Sequence, residues 1–173
     1  MESKTQFKLR KWQDGDEEAL VEYANNVKIW QNLKDSFPLP YSLQNAKDWI
    51  SLCKMEANTT VFAIEVEQKA VGSIGIIPQQ DIYRKNAEIG YWLAEPFWNR
   101  GIMSEALLEV VKYTFATFDI NRIFAGIFEY NKPSMRILEK AGFELECVHR
   151  KSLYKQNQFY DEYIYVLFRS LYF

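Results

Sequence analysis

Apolar residues recur along the chain with two kinds of spacing, and each spacing predicts one kind of secondary structure. Spacings of three and four residues, typical of a helix with one buried face, occur in four segments, so we predict four helices. Short apolar runs between polar residues predict seven strands. The predicted helices begin at Asp16, Ser42, Ile102 and Pro133, and the predicted strands span residues 7–12, 60–67, 70–77, 87–93, 123–129, 143–150 and 161–168.

The order of these elements predicts an α+β fold with a mixed sheet. Polar links at Gln68-Lys69 and at residues 154–158 each join two consecutive strands, which predicts two antiparallel hairpins. Between the hairpins, a strand, the helix from Ile102 and a further strand predict a crossover between parallel strands. No linker, repeat or change of composition divides the chain, so we expect a single domain over residues 1–173.

Composition narrows the class of protein further. With 173 residues and 48% apolar residues, the chain is long and apolar enough to build a core, which excludes a disordered protein. A net charge of −2 argues against a nucleic-acid partner, and the apolar runs are too short to predict a membrane span. Two separate cysteines and one histidine predict no metal site, and with no signal-peptide pattern at the start we expect a cytoplasmic protein.

The stretch from Glu88 to Ala106 is the most informative segment, because a predicted strand turns there into a predicted helix. The first backbone amides of a helix lack internal partners and point outward at its positive end, so residues 99–104 are a candidate diphosphate site. Gly101 has no Cβ to block an anion, and Arg100 adds a positive charge. The alternative is an ordinary strand–helix turn with Gly101 as a kink, since the segment matches neither a P-loop nor a GxGxxG motif.

A second motif strengthens the diphosphate interpretation. The run Asn131-Lys132-Pro133-Ser134 begins 30 residues after Gly101 and is followed by Leu138-Glu139-Lys140-Ala141-Gly142-Phe143. Together, the two segments resemble the GNAT superfamily of acyl-CoA N-acyltransferases, in the branch of Rim-type ribosomal-protein N-terminal acetyltransferases. The resemblance covers nearly the whole chain. It implies a GNAT fold, with a mostly antiparallel, twisted, mixed sheet that is splayed at its centre and flanked by about four helices.

The resemblance also implies a set of residues that bind acetyl-CoA as co-substrate, with no metal. The family's phosphate loop falls on residues 98–103, where only Gly101 matches strictly. Met103 replaces a small residue, which is tolerated if its side chain turns inward. Asn131 matches an asparagine that contacts the pantetheine arm, although it is also a candidate helix cap before Pro133. The implied cofactor-binding residues are Tyr91, Trp92, Leu93, Asn99, Arg100, Gly101, Ile102, Met103, Ser104 and Asn131.

Catalysis requires an acceptor for the amine proton and a donor for the leaving thiolate. Glu88 is the candidate base, because it lies on the strand beside the expected thioester; the alternative is a carboxylate that only attracts a cationic acceptor or faces solvent. The tyrosine that many family members use as the acid is replaced by Leu138, so Ser134, which matches a serine of the Rim-type branch, and Tyr130 are the substitutes. His149 is a further candidate base, although its place at the end of a strand favours a surface role.

The predicted activity is therefore N-acetylation of a primary amine by direct attack on acetyl-CoA in a ternary complex. The acceptor is either a protein N-terminus or a small amine. The sequence does not decide between a monomer and a homodimer. The alternative function is a non-catalytic acyl-CoA-binding or regulatory module, which the leucine at position 138 mildly favours.

Overall fold

The computed structural model describes residues 5–55 and 60–172. The helices are α1 (Glu17–Ala24), α2 (Val27–Trp30), α3 (Leu43–Lys54), α4 (Ile102–Thr117) and α5 (Lys132–Lys140). The strands are β1 (Lys8–Arg10), β2 (Val61–Val66), β3 (Lys69–Pro78), β4 (Asn86–Leu93), β5 (Arg122–Phe128), β6 (Glu144–Lys155) and β7 (Gln158–Phe168). The predicted α+β class and its order of elements are confirmed.

Two local features differ from the prediction. The four-residue helix α2 was not predicted, because it is too short to show a periodicity; the Asn26 side chain caps it by accepting from the Lys28 amide. The antiparallel hairpin predicted around residues 154–158 is confirmed, but its strands are longer than predicted, since β6 and β7 continue to a tight turn at Gln156-Asn157, both with positive φ. Nearly all of β6 is exposed, so no apolar alternation marks where it ends.

The seven strands follow each other in the order β1-β2-β3-β4-β5-β7-β6. The ladders β1–β2, β2–β3, β5–β7 and β6–β7 are antiparallel, whereas β4 and β5 are parallel. The β4–β5 ladder covers three residues of each strand and ends where Glu88 lies opposite Phe124. The mostly antiparallel mixed sheet implied by the resemblance is therefore present.

The chain forms two compact units. The first comprises Met1–Gly75 and Tyr91–Ala106. Its core joins α1 and α3 to the sheet through Leu20, Ala46 and Ile50, each at most 1% exposed. A full capping box fixes the start of α3, because Ser42 and Asn45 satisfy each other's backbone amides.

Charged residues add an ion-pair network to the first unit. Arg10 donates to both carboxylate oxygens of Asp16, at 2.7 and 2.8 Å, and also to Glu65, which pairs with Lys8 at 2.8 Å. Asp16 occupies the N-cap position of α1 as predicted, but its side chain makes no capping hydrogen bond. Its carboxylate instead forms a strong bidentate pair with the Arg10 guanidinium and accepts from the Gln13 amide at 3.1 Å.

The second unit comprises Ile76–Gly90 and Leu107–Phe173. Strand β5 lies between β4 and β7 here, and its alternate residues Ile123, Ala125 and Ile127 are buried. The α4 residues Leu107, Val110 and Val111 are also buried, as the spacing of apolar residues after Ile102 predicts for one face of a helix.

Candidate active site

The first part of the site is the segment between β4 and α4, in the first unit. The backbone amide of Ala94 donates to the Val71 carbonyl at 2.8 Å, which attaches the end of β4 to β3. Trp98 lies five residues after Leu93, and its side chain folds back toward the strand. Its indole Nε1 donates a hydrogen bond to the Leu93 carbonyl at 2.6 Å. The turn that follows the strand is therefore held at a fixed distance from the strand end.

The backbone of the turn then takes two uncommon conformations before the helix starts. Asn99 and Gly101 have φ values of +59° and +78°, in the left-handed region that glycine and asparagine tolerate best. Helix α4 begins at Ile102, and the Glu105 amide is the donor to the Gly101 carbonyl, at 3.2 Å. The amides of residues 101–104 precede that first helical hydrogen bond and belong to the end of the helix that favours anions.

The side chains leave this end of the helix accessible. Residues 98–101 are exposed, and a Cβ on Gly101 would be 3.9 Å from its nearest neighbour, Oε1 of Glu105. Met103 is only 6% exposed, so its side chain turns inward, which is the condition set for it above. The guanidinium of Arg100 lies 5.3 Å from the centre of the Phe97 ring and places a positive charge beside the turn. The segment therefore has the geometry of a backbone anion site.

The second part of the candidate site is the start of α5, in the second unit. Oδ1 of Asn131 accepts from the Ser134 amide at 3.3 Å, so Asn131 is a helix cap. The cap uses the carboxamide oxygen, and the NH₂ group of the same side chain is the donor that a ligand carbonyl would need. Ser134 is buried, and Leu138 is 0% exposed, so the position of the family's tyrosine is filled by a core residue.

Tyr130 lies just before α5 in an aromatic cluster. Its ring stacks on Phe128, with 5.2 Å between centroids, and contacts the edge of Tyr160 at 5.1 Å. Burial raises the pKa of Tyr130 to about 12, so its hydroxyl stays protonated at neutral pH. Since 39% of the residue is exposed, Tyr130 combines packing with a proton that solvent or a ligand can reach.

Glu88 lies on β4, between the buried residues Ala87 and Ile89. It is half-buried and is opposite Phe124 in the last pair of the β4–β5 ladder. Alternation along the strand puts its side chain on the face opposite to that of Ala87 and Ile89. The predicted residues thus fall into two groups: 91–93 and 99–104 in the first unit, and Glu88, Asn131 and Ser134 in the second.

The family resemblance places Trp98 in the phosphate loop, but the sequence does not identify it as the residue that attaches this loop to β4. No local pattern predicts a hydrogen bond from an indole to a carbonyl five residues earlier in the chain. The sequence also does not predict that the Glu105 carboxylate is the group nearest to the open side of Gly101.

Comparison with known proteins assigns the family. The model of the acetyltransferase (GNAT) domain matches residues 6–144. The SPbeta prophage-derived uncharacterized N-acetyltransferase YokL of Bacillus subtilis is 30% identical over 136 residues, covering 78% of this chain and 75% of YokL. The [ribosomal protein uS5]-alanine N-acetyltransferase of Escherichia coli is 26% identical over 153 residues, covering 84% of this chain and 78% of that enzyme.

A solved structure agrees in fold. The microcin C7 self-immunity acetyltransferase MccE, crystallised with acetyl-CoA and AMP, superposes with a TM-score of 0.82 at 22% identity, over 94% of this chain and 92% of that chain. The chain belongs to the GNAT acetyltransferase family. The predicted fold, N-acetyltransferase class and Rim-type resemblance are confirmed.

Residues 5–55 and 60–172 contain neither a candidate membrane span nor a candidate metal site. None of the helices in these ranges is both long and apolar enough to cross a bilayer. Within the same ranges, His, Cys, Asp and Glu side chains form no group of three or more with the arrangement of a metal site.

Proposed function

We propose that the protein transfers the acetyl group of acetyl-CoA directly to a primary amine, in a ternary complex and without a covalent enzyme intermediate. The observation that carries this proposal is the turn between β4 and α4: the bond from Trp98 to the Leu93 carbonyl holds it, and Gly101 leaves the helix amides open. A diphosphate on those amides would gain several charge-assisted hydrogen bonds at once.

The rest of the proposed donor site is taken from the family resemblance. Tyr91, Trp92 and Leu93 would pair their backbone with the amides of the pantetheine arm, and a backbone N–H near Leu93 would stabilise the oxyanion. Asn99, Arg100, Ile102, Met103 and Ser104 would complete the diphosphate site around Gly101. Asn131 would donate its NH₂ group to the pantetheine arm while its oxygen caps α5.

Two proton transfers complete the proposed reaction. Glu88 takes a proton from the acceptor amine, directly or through water, because a protonated amine has no lone pair for attack. The leaving thiolate is protonated by Ser134, with Tyr130 as the second candidate, since its hydroxyl is protonated at neutral pH. A thiol with a pKa near ~8.5 departs easily even without help, so the acid has the smaller effect on rate.

The acceptor is a protein N-terminal amine or a small amine, and the E. coli relative that acetylates an alanine of a ribosomal protein favours the first. We further propose that residues 1–173 act as one domain in the cytoplasm. Cys53 and Cys147 form no disulfide with each other, as is usual for cysteines in a reducing compartment.

The test is release of free thiol from acetyl-CoA in the presence of an amine panel. The panel contains peptides with free N-termini, the same peptides with blocked N-termini, polyamines and amino sugars. We expect thiol release equal to the acetylated product for one class of amine, with initial rates that depend on both substrates as in a ternary complex. Binding of acetyl-CoA in calorimetry without thiol release from any amine would instead identify a non-catalytic acyl-CoA-binding module.

A further inference from the structure

The second unit contains a thiol, an imidazole and a carboxylate in series, and the proposed acetyl transfer uses none of them. Sγ of Cys147 lies 3.5 Å from Nε2 of His149. The other ring nitrogen, Nδ1, lies 3.5 Å from Oε2 of Glu162. The two sides of one imidazole therefore face a nucleophile and an acid, which is the order of groups that activates a thiol.

The fold explains why these three groups meet. Cys147 and His149 are two residues apart on β6, so they share a face, and the β6–β7 register pairs His149 with Glu162. The Glu162 carboxylate lies against Gly126 of β5, where a Cβ would be only 2.2 Å from Oε1. A glycine at position 126 therefore leaves the space that the carboxylate occupies beside His149.

Solvent reaches the thiol end of this series. Cys147 is exposed on β6, the last strand in the sheet order, and the His149 side chain is 55% exposed, while that of Glu162 is only 24% exposed. A carboxylate that faces Nδ1 favours the tautomer with the proton on Nδ1, which leaves the Nε2 lone pair to accept the proton of the thiol. Ser152 adds a hydroxyl 3.5 Å from the same Glu162 oxygen.

We propose that Cys147 is a nucleophilic thiol that undergoes reversible thiol–disulfide exchange with small-molecule disulfides. The thiol proton passes to Nε2 of His149, and the Cys147 thiolate attacks one sulfur of the disulfide. The S–S bond breaks, a new S–S bond forms to Cys147, and the departing thiolate takes the proton back from His149. Cys147 is oxidised to a mixed disulfide and the departing half is reduced to a thiol, so no other reagent is needed.

The kinetic test uses the folded full-length chain and Ellman's disulfide, DTNB, at pH 7. Cys53, a half-buried cysteine in α3, is the internal control. We expect a fast phase in the wild type and in Cys53→Ser that is absent from Cys147→Ser. His149→Gln should slow that phase by about tenfold or more, because the proton acceptor is gone. Glu162→Gln and Gly126→Ala should slow it by a few-fold, the second by displacing the carboxylate without removing it.

A second measurement separates this site from ordinary exposure of a thiol. In protein unfolded by urea, Cys147 should react with DTNB at the same rate as Cys53, and the residue at position 149 should not affect this rate. Incubation of the folded protein with oxidised glutathione should add one glutathionyl group per chain, on Cys147, and a dithiol should remove it. The proposal is overturned if folded Cys147 reacts no faster than in urea, if the label is on Cys53, or if His149→Gln keeps the wild-type rate. Thermal unfolding shows whether the His149→Gln protein is folded. If it is not, Glu162→Gln and Gly126→Ala replace it in the test, and the proposal is overturned if both keep the wild-type rate.

Discussion

The indole Nε1 of Trp98 donates a hydrogen bond to the carbonyl oxygen of Leu93, at 2.6 Å. Leu93 ends β4 and is 7% exposed, so without the indole its carbonyl would lose a partner in a largely dry environment. The bond joins the strand proposed to pair with the pantetheine arm to the turn proposed to bind the diphosphate. One side chain thus connects two parts of the proposed donor site.

Replacing Trp98 with Phe keeps an aromatic ring but removes this donor. We expect about 1 kcal/mol lower stability from the unpaired carbonyl, and weaker acetyl-CoA binding because the turn is no longer held to the strand. Thermal unfolding and calorimetric titration measure the two effects. Tyr83→Phe, at an exposed position outside the proposed site, is the control and should change neither. An unaltered Kd in Trp98→Phe would show that the bond does not organise the site.

Gly101 tests the anion site most directly. Gly101→Asp places a carboxylate where the diphosphate should bind, and like charges in a partly dry site cost several kcal/mol, so the affinity for acetyl-CoA should fall by about two orders of magnitude or more. Gly101→Asn is the matched control, because Asn has nearly the same shape as Asp, can also adopt the φ of +78° and carries no charge. Equal affinities of the two variants for acetyl-CoA would contradict a diphosphate at this helix end.

Glu88→Gln tests whether Glu88 is a general base or only attracts a cationic acceptor by its charge. If Glu88 accepts the amine proton, kcat/KM should fall roughly 10²–10⁴-fold, and the loss should shrink at higher pH, where the amine deprotonates unaided. If the carboxylate only attracts a cation, KM for the acceptor should rise while kcat holds, and salt should weaken the wild type in the same way. Glu144→Gln, at an exposed position of β6, serves as the control. A normal kcat from pH 6.5 to 9 would remove Glu88 as the base.

The proton donor for the leaving thiolate is tested by comparing Ser134→Ala with Tyr130→Phe. We expect kcat to fall in Ser134→Ala by about tenfold, with acetyl-CoA affinity retained, because the substitution removes one hydroxyl and keeps the Asn131 cap on its amide. Tyr130→Phe keeps the ring contacts with Phe128 and Tyr160 and should have the smaller effect. The opposite ranking would assign the role to Tyr130.

We expect the ion pairs of Glu65 to make the free energy of unfolding depend on pH. Its hydrogen bond with Lys8 and then that with Arg10 hold the pKa of Glu65 below its usual value of 4.5. A depressed pKa means that the unfolded state binds the proton more tightly, so this contribution to stability is complete above pH 4.5 and is lost as pH falls through the folded-state pKa.

Glu65→Gln should therefore lower the free energy of unfolding by about 1–3 kcal/mol at pH 7 and by little near pH 2. Urea unfolding at a series of pH values measures this difference. Glu109→Gln, at an exposed position of α4, should leave the curve unchanged. A constant difference between wild type and Glu65→Gln at all pH values would mean that packing, rather than the ion pair, accounts for the loss.

Much of the local structure follows from short-range patterns. The helix predicted to begin at Ile102 does so in the structure, and Ser42, the predicted start of another helix, is the N-cap of α3. Helix periodicity, side-chain caps and the left-handed preference of glycine act over a few neighbouring residues, so the sequence determines them directly. The helix start near Gly101, which we propose as the anion site, could be predicted for the same reason.

Only the tertiary structure determines the contacts between residues that are distant in the chain. The carboxylate of Asp16 pairs with Arg10 instead of capping its own helix, and the Trp98 indole finds a carbonyl outside its own turn. Glu162 meets His149 only because the β6–β7 register aligns them and because Gly126, on a third strand, leaves room for the carboxylate. Irregularities in β6 shift the β6–β7 register from the one that the turn at Gln156-Asn157 would give, and such shifts and side-chain partners depend on the packing of the assembled sheet.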